Sequence, residues 1–173
     1  MAQTARKKSA DRSPGAIALL KSDHREVEEL LASFEETEDE DELGAMAQRI
    51  CQLLTIHAQI EEELVYPAAR EALQDDDEDI ELVSEAEIEH ETAKELIAKI
   101  EALTPDDEYF RATVKVLGEY VQHHVQEEEK ELFPKLKQTD LDLEKLGERL
   151  AARKRELMEQ LGADEEDEEN RDE

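Results

Sequence analysis

One helical hairpin is written twice in this chain. His57, Glu61 and Pro67 recur as His124, Glu128 and Pro134, each 67 positions further on, and His24 recurs as His90 after 66. The acidic run and the aromatic residue before each proline recur as well: Glu61 to Glu63 and Tyr66 in the first copy, Glu127 to Glu129 and Phe133 in the second. A repeated hairpin cannot bury its apolar stripe alone, so two copies should pack face to face. The result would be an up-down-up-down four-helix bundle with pseudo-twofold symmetry.

Within each copy the apolar residues recur at spacings of three and four, the period of a helix with one buried face. Ser13-Pro14 reads as a cap followed by proline at the first helical position; it opens a helix to about Glu36 with Ile17, Leu20, His24, Val27, Leu31 and Phe34 on its stripe. The acidic stretch from Glu35 to Glu42 is a connection. Met46, Ile50, Leu53, His57, Ile60 and Leu64 mark a second helix to about Leu73, with a kink or break near Pro67, and residues 74–79 are a solvated turn. The third helix carries Val83, Ala86, His90, Ala93, Ile97 and Ile100. Thr104-Pro105 repeats the start signal for a fourth helix, striped by Val116, Leu117, Tyr120, His124, Glu128 and Leu132 and running to about Lys137.

Asp140 is placed to cap a fifth, amphipathic helix bearing Leu143, Leu146, Leu150, Leu157 and Leu161, with Gly162 as its stop. The expected organisation is all-α: a flexible basic segment over 1–13, a four-helix bundle over 14–138, a C-terminal helix over 139–162 and a disordered acidic tail over 163–173. Composition agrees, since aromatic residues are 3% of the chain and there is no Trp, leaving little strand chemistry.

The formal charge of −29 repels nucleic acid phosphates and anionic lipid, which argues against either as a partner. Its plainest meaning is a well-hydrated surface. A single cysteine, Cys51, can form neither an internal disulfide nor a thiolate metal site, and a reducing cytoplasm is the simplest location. Arg6, Lys7, Lys8 and Arg12 lie in a segment with no apolar core, which excludes a secretory signal and leaves an organelle-targeting segment as the alternative.

His57 and Glu61 are four apart, as are His124 and Glu128, so each pair points to one place on its helix. One such pair is weak evidence in a Glu-rich chain. Four histidines, one in the middle of each apolar seam, together with two carboxylates at core positions, are a different matter: buried together they would be a costly cluster unless something satisfied them jointly. A metal pair does so, and imidazole with carboxylate suits iron, zinc or manganese. His123 points about 100° away from its neighbour and is read as a surface residue. Glu62, Glu63, Glu127 and Glu129 are read as solvated faces, and Cys51 as without chemistry.

At Asp23-His24, His57 and Glu61 with Tyr66-Pro67, Glu89-His90, and His124 and Glu128 with Phe133-Pro134, the sequence resembles the hemerythrin-like family, the HHE cation-binding domain, over about residues 14–137. The resemblance implies a di-iron centre with an oxo, hydroxo or water bridge. In it Glu61 and Glu128 bridge the irons, His24 and His57 serve one, and His90 and His124 serve the other. Oxygen-carrying hemerythrins have a further histidine one turn after the third-helix ligand, where this chain has Lys94. Two histidines per metal favour reaction with peroxide, nitric oxide or oxygen, or exchangeable iron binding, over reversible oxygen carriage. Lys94 and its counterpart Glu28 are placed to pair or to gate the site, or to be exposed charges on the helix flanks.

The function implied is therefore a small-ligand or iron-handling protein in sensing or stress protection, a monomer or weak homodimer. Two other readings stay open: a ferroxidase or peroxide-consuming enzyme, and an acidic helical interaction module with a structural zinc or no metal.

Overall fold

The protein is described here by a computed structural model covering residues 14–169, with side chains over 14–162. The basic segment 1–13, with the expected cap Ser13, and residues 170–173 lie outside the described residues. Among the described residues every element is helical.

Helix α1 (Ala16–Glu36) follows Gly15. Aspartates start the other long helices of the bundle: Asp39 accepts the Glu42 N–H ahead of α2 (Glu40–Ile60), Asp76 the Glu78 N–H ahead of α4 (Asp77–Glu101), and Asp107 the Tyr109 N–H ahead of α5 (Glu108–Glu127). The connections are thus shorter than expected. Their acids become first turns, where negative charge suits the helix N-terminus. Thr104-Pro105 does not open α5, because Asp107 is the better cap; Thr104 instead donates to Asp106 in the preceding turn.

Pro67 and Pro134 do not break their rods. Helix α2 runs through a π turn (Glu61–Val65) into α3 (Tyr66–Ala72), and α5 runs through a second π turn (Glu128–Leu132) into α6 (Phe133–Lys137). Proline cannot donate and crowds the carbonyl four residues back. The π turn relieves this by inserting one residue, with Tyr66 N–H reaching Glu61 O and Phe133 N–H reaching Glu128 O. Each proline then falls in the first turn of the next segment, where its missing N–H is not needed.

The four rods pack as two hairpins, α1 with α2–α3 and α4 with α5–α6, around two apolar clusters. One cluster holds Leu20, Ile60, Tyr66, Val83, Phe133 and Leu136; the other holds Val27, Ile50, Phe110, Val114 and Leu117. A buried polar layer separates them. On α5 the inward stripe is Phe110, Val114, Leu117, Val121 and Val125, whereas Val116 and Tyr120, expected on it, are exposed.

The fifth helix, α7 (Leu143–Glu169), begins at Asp142, whose carboxylate accepts the Lys145 N–H, and not at Asp140. It passes through Gly162 and carries the backbone of the expected tail as far as Glu169. No glycine among the described residues has positive φ, and a helical glycine costs only about 1 kcal/mol, so Gly162 does not stop the helix. Leu146, Leu150 and Leu157 are buried against α1, α2 and the first π turn, each contributing about 1.5–3 kcal/mol. No described helix is long and apolar enough to cross a membrane.

The docking of α7 depends on Gly147, where an added Cβ would lie 2.5 Å from Pro14 O and 2.6 Å from Ala16 N. All the close atoms are backbone of residues 14–16, so no flexible side-chain end can move aside. Gly147→Ala should lower stability in urea unfolding by about 1–3 kcal/mol despite alanine's better helix propensity. An unchanged midpoint would contradict the contact.

Candidate metal centre

His24, His57, His90 and His124 come one from each rod, and all are buried with Glu61 and Glu128 in the layer between the two apolar clusters. The structure therefore brings all six expected residues together. His24 Nε2 lies 3.2 Å from His57 Nε2, and His90 Nε2 lies 3.2 Å from His124 Nε2. His24, His57, Glu61 and Glu128 each offer an atom within 4.8 Å of the others, as do Glu61, His90 and His124.

The carboxylates span both imidazole pairs. Glu61 sets one oxygen 3.1 Å from His57 Nε2 and the other 3.1 Å from His90 Nε2; Glu128 Oε2 lies 3.4 Å from His24 Nε2 and 3.5 Å from His124 Nε2. Yet Glu61 Oε1 and Glu128 Oε2 are buried without a hydrogen-bond partner. Such orphaned oxygens beside converging imidazole nitrogens form a donor set that fits a pair of cations.

Each imidazole turns its other nitrogen to a carboxylate on a neighbouring rod. Nδ1 of His24 meets Glu129 at 2.9 Å, His57 meets Asp23 at 3.0 Å, His90 meets Glu62 at 3.0 Å and His124 meets Glu89 at 2.7 Å. These bonds place the proton on Nδ1 and leave Nε2 to face the layer's centre. A cationic side chain backs three of the carboxylates in turn, Arg25 behind Glu129, Lys154 behind Asp23 and Lys94 behind Glu62, while the ring of the exposed His123 lies beside Glu89. Glu62 and Glu129 are therefore not the solvated faces expected from sequence. Lys94 and Glu28 do not pair with each other, since Lys94 bonds Glu62 and Glu28 bonds Arg25.

Sequence reasoning also missed Tyr66. On a regular helix, residues five apart are separated by about 140°, which points Tyr66 away from Glu61. The π turn brings them together. The Tyr66 hydroxyl lies 3.2 Å from Glu61 Oε2, 3.0 Å from Glu128 Oε1 and 3.0 Å from His90 Nε2. Its repeat counterpart Phe133 stacks on His24 at 6.1 Å, so the two halves of the site differ in one hydroxyl. The signal for it was the aromatic residue before each proline.

Over the layer, on the side of the second cluster, is a cavity of about 40 Å³ that the four histidines share with Val27, Leu54, Ala93, Ile97, Val121 and Val125. Lys94 and Tyr120 stand at its edge.

Charge is finely placed here. Burial disfavours the His57 imidazolium, but Glu61 and Asp23 outweigh it and raise its pKa to about 10; His124 is likewise raised well above the ordinary value, against burial, by Glu128, Glu61 and Glu89. Glu61 is held well below the ordinary carboxylate value by His57, His124 and His90, again against burial. Burial, with Glu128 and Glu61 adding to it, pushes the Tyr66 phenol well above 10, so it keeps its proton. Cys51 is buried, and burial with the nearby Glu101 raises its thiol to about 12, which makes it unreactive.

The hemerythrin HHE cation binding domain is the family whose sequence model matches, over residues 15–136. A DNA nickase from Nostoc sp. is 30% identical over 115 residues, or 66% of this chain, and the chain spans 31% of that protein's length. The crystal structure of a hemerythrin HHE cation binding domain-containing protein from Mycobacterium kansasii superposes with a TM-score of 0.69 at 26% identity, covering 83% of this chain and 87% of that one.

Proposed function

We propose, on the premise that the chain belongs to the hemerythrin HHE cation-binding domain family, that its buried layer holds two iron ions and admits oxygen, peroxide or nitric oxide. His24 and His57 would serve one ion, His90 and His124 the other, and Glu61 and Glu128 both. The observation that carries this reading is the pair of orphaned, buried carboxylate oxygens set between two imidazole pairs. Bound there, an iron pair supplies Lewis-acid and redox chemistry towards a small oxygen or nitrogen ligand.

The chain's own residues do the rest. Asp23, Glu62, Glu89 and Glu129 fix the imidazole tautomers, and the apolar lining of the cavity keeps bulk water from the layer. The cavity's size suits a ligand of a few atoms. Tyr66 holds one proton at the two spanning carboxylates, where it can be shared with a ligand as charge develops. Tyr66→Phe should keep the fold and weaken metal binding about tenfold, the value of one hydrogen bond to a charged group. Competition with a chromophoric chelator measures it, and unchanged affinity would contradict the role.

Sensing, iron handling and protection from oxidative or nitrosative stress are the roles such a site fits. The interaction-module reading loses its support, because the apolar stripe of α7 is already used on the bundle. A nickase role gains nothing from the Nostoc protein, of which this chain spans 31%, and a charge of −29 opposes a DNA partner. One buried free thiol fits a reducing cytoplasm.

The test is an absorption spectrum of the iron-loaded protein before and after dithionite, oxygen, hydrogen peroxide and nitric oxide. Ligand-dependent visible bands support the reading, and a spectrum blind to all four would refute it. Repeated consumption of peroxide or ferrous iron would mark an enzyme; a single stoichiometric change would mark a sensor or carrier.

A further inference from the structure

The matched family region ends at residue 136, and α7 lies beyond it. We infer that α7 is a working part of the metal centre: Lys154, by holding Asp23, positions His57 and makes the His24/His57 place the tighter of the two. This rests on the two-metal reading above.

The geometry is a continuous chain of contacts. Lys154 Nζ bonds Asp23 Oδ1 at 2.5 Å, the other oxygen of Asp23 meets His57 Nδ1 at 3.0 Å, and His57 Nε2 faces Glu61. Asp23 is buried, and the Lys154 side chain is 26% exposed. An ammonium held in a partly desolvated contact fixes a carboxylate more firmly than a solvated one does.

The internal repeat supplies the comparison. The counterpart of Asp23 is Glu89, which holds His124 in the same way, but among the described residues no lysine or arginine stands behind it; it faces the ring of His123, which is 64% exposed, and its neighbour Glu127. The two faces differ in sequence accordingly. Ile56 and Ile60 are buried in the cluster that includes the α7 leucines, and their counterparts 67 positions on are His123 and Glu127, on a face that α7 does not cover. One carboxylate–imidazole pair is thus clamped from outside the bundle and its twin is not. Outer partners of metal-ligating histidines typically change metal affinity about 10–100-fold, enough to separate two otherwise similar places.

Arg153 provides the control. It anchors α7 through a two-pronged bond to Glu63, at 2.7 and 3.1 Å, and does not contact Asp23 or a histidine. Disturbing the docking of α7 without touching the Lys154–Asp23–His57 chain is therefore possible.

The experiment is a cobalt(II) titration of full-length wild type and of Lys154→Met, Lys154→Arg and Arg153→Met, each checked for helix content by circular dichroism. Proton NMR of the cobalt proteins follows the exchangeable Nδ1 proton of each histidine. Wild type should take two equivalents in two resolved steps. Lys154→Met should weaken the tighter step about 10–100-fold and shift the His57 signal, leaving the other step and the His90 and His124 signals in place. Lys154→Arg should restore the tight step, and Arg153→Met should leave both. Two unchanged steps in Lys154→Met would overturn the inference, as would an equal loss in Arg153→Met. A wild type that takes fewer than two cobalt ions would instead overturn the two-metal reading itself.

Discussion

Replacing Glu61 and Glu128 together by alanine abolishes tight metal uptake, lowering affinity by more than about 100-fold, the most that outer partners alone usually cost. These are the two carboxylates placed against both imidazole pairs, and both are almost completely buried. Without them four neutral imidazoles would leave two dications in a buried layer whose only negative charge lies behind the rings, at Asp23, Glu62, Glu89 and Glu129, at a cost of several kcal/mol per ion. Glu61→Gln with Glu128→Gln keeps the volume and removes the charge, so it should lose metal nearly as completely. Metal analysis after gel filtration reads the result, with circular dichroism confirming the helices.

Removal of metal by a chelator should lower the melting temperature by about 8–16 °C. Binding at about a thousand times the dissociation constant is worth about 4.1 kcal/mol, and 1 kcal/mol moves a domain of this size by about 2–4 °C. The metal-free protein should then show an unusual pH response. In the fold the His57 pKa is raised to about 10 from the ordinary 6.5, so its stabilisation is complete below about 6.5 and is lost as pH rises towards 10. Glu61, lowered well below 4.5, contributes above that value and loses its contribution as pH falls through its folded pKa. These are two views of one ion pair and do not add. Between about 4.5 and 6.5 both partners are charged, and there the metal-free form should be most stable. Metal binding needs a neutral imidazole, so cation affinity should rise with pH while metal-free stability falls. A metal-free melting temperature that climbs between pH 6.5 and 10 would contradict the assignment.

The helices and the six inward residues were legible because both follow from one period. Histidines and glutamates spaced by three and four share a seam with Leu20, Val27 and Leu53, and the repeat identified the seam twice. What depended on breaking that period was not legible. The π turns follow from prolines 67 and 134, whose crowding is relieved by one inserted residue, and Tyr66 reaches Glu61 only through that insertion. The outer carboxylates also escaped, since on a single helix Glu62 and Glu129 point away from the seam. They meet His90 and His24 only across rods. Their trace in the sequence was the acid that follows Glu61 and Glu128 in both copies, just as an acid precedes His24 and His90. The start of α5 was misplaced because two capping signals lie three residues apart and the aspartate prevails.

The central claim is that six side chains from four rods form one pocket for two adjacent ions. X-ray absorption at the iron edge of the fully loaded protein tests it most directly. Two irons per chain are expected, with mixed nitrogen and oxygen neighbours and an iron–iron vector no longer than about 4 Å. A single isolated ion per chain, or two irons with no mutual scattering, would contradict it.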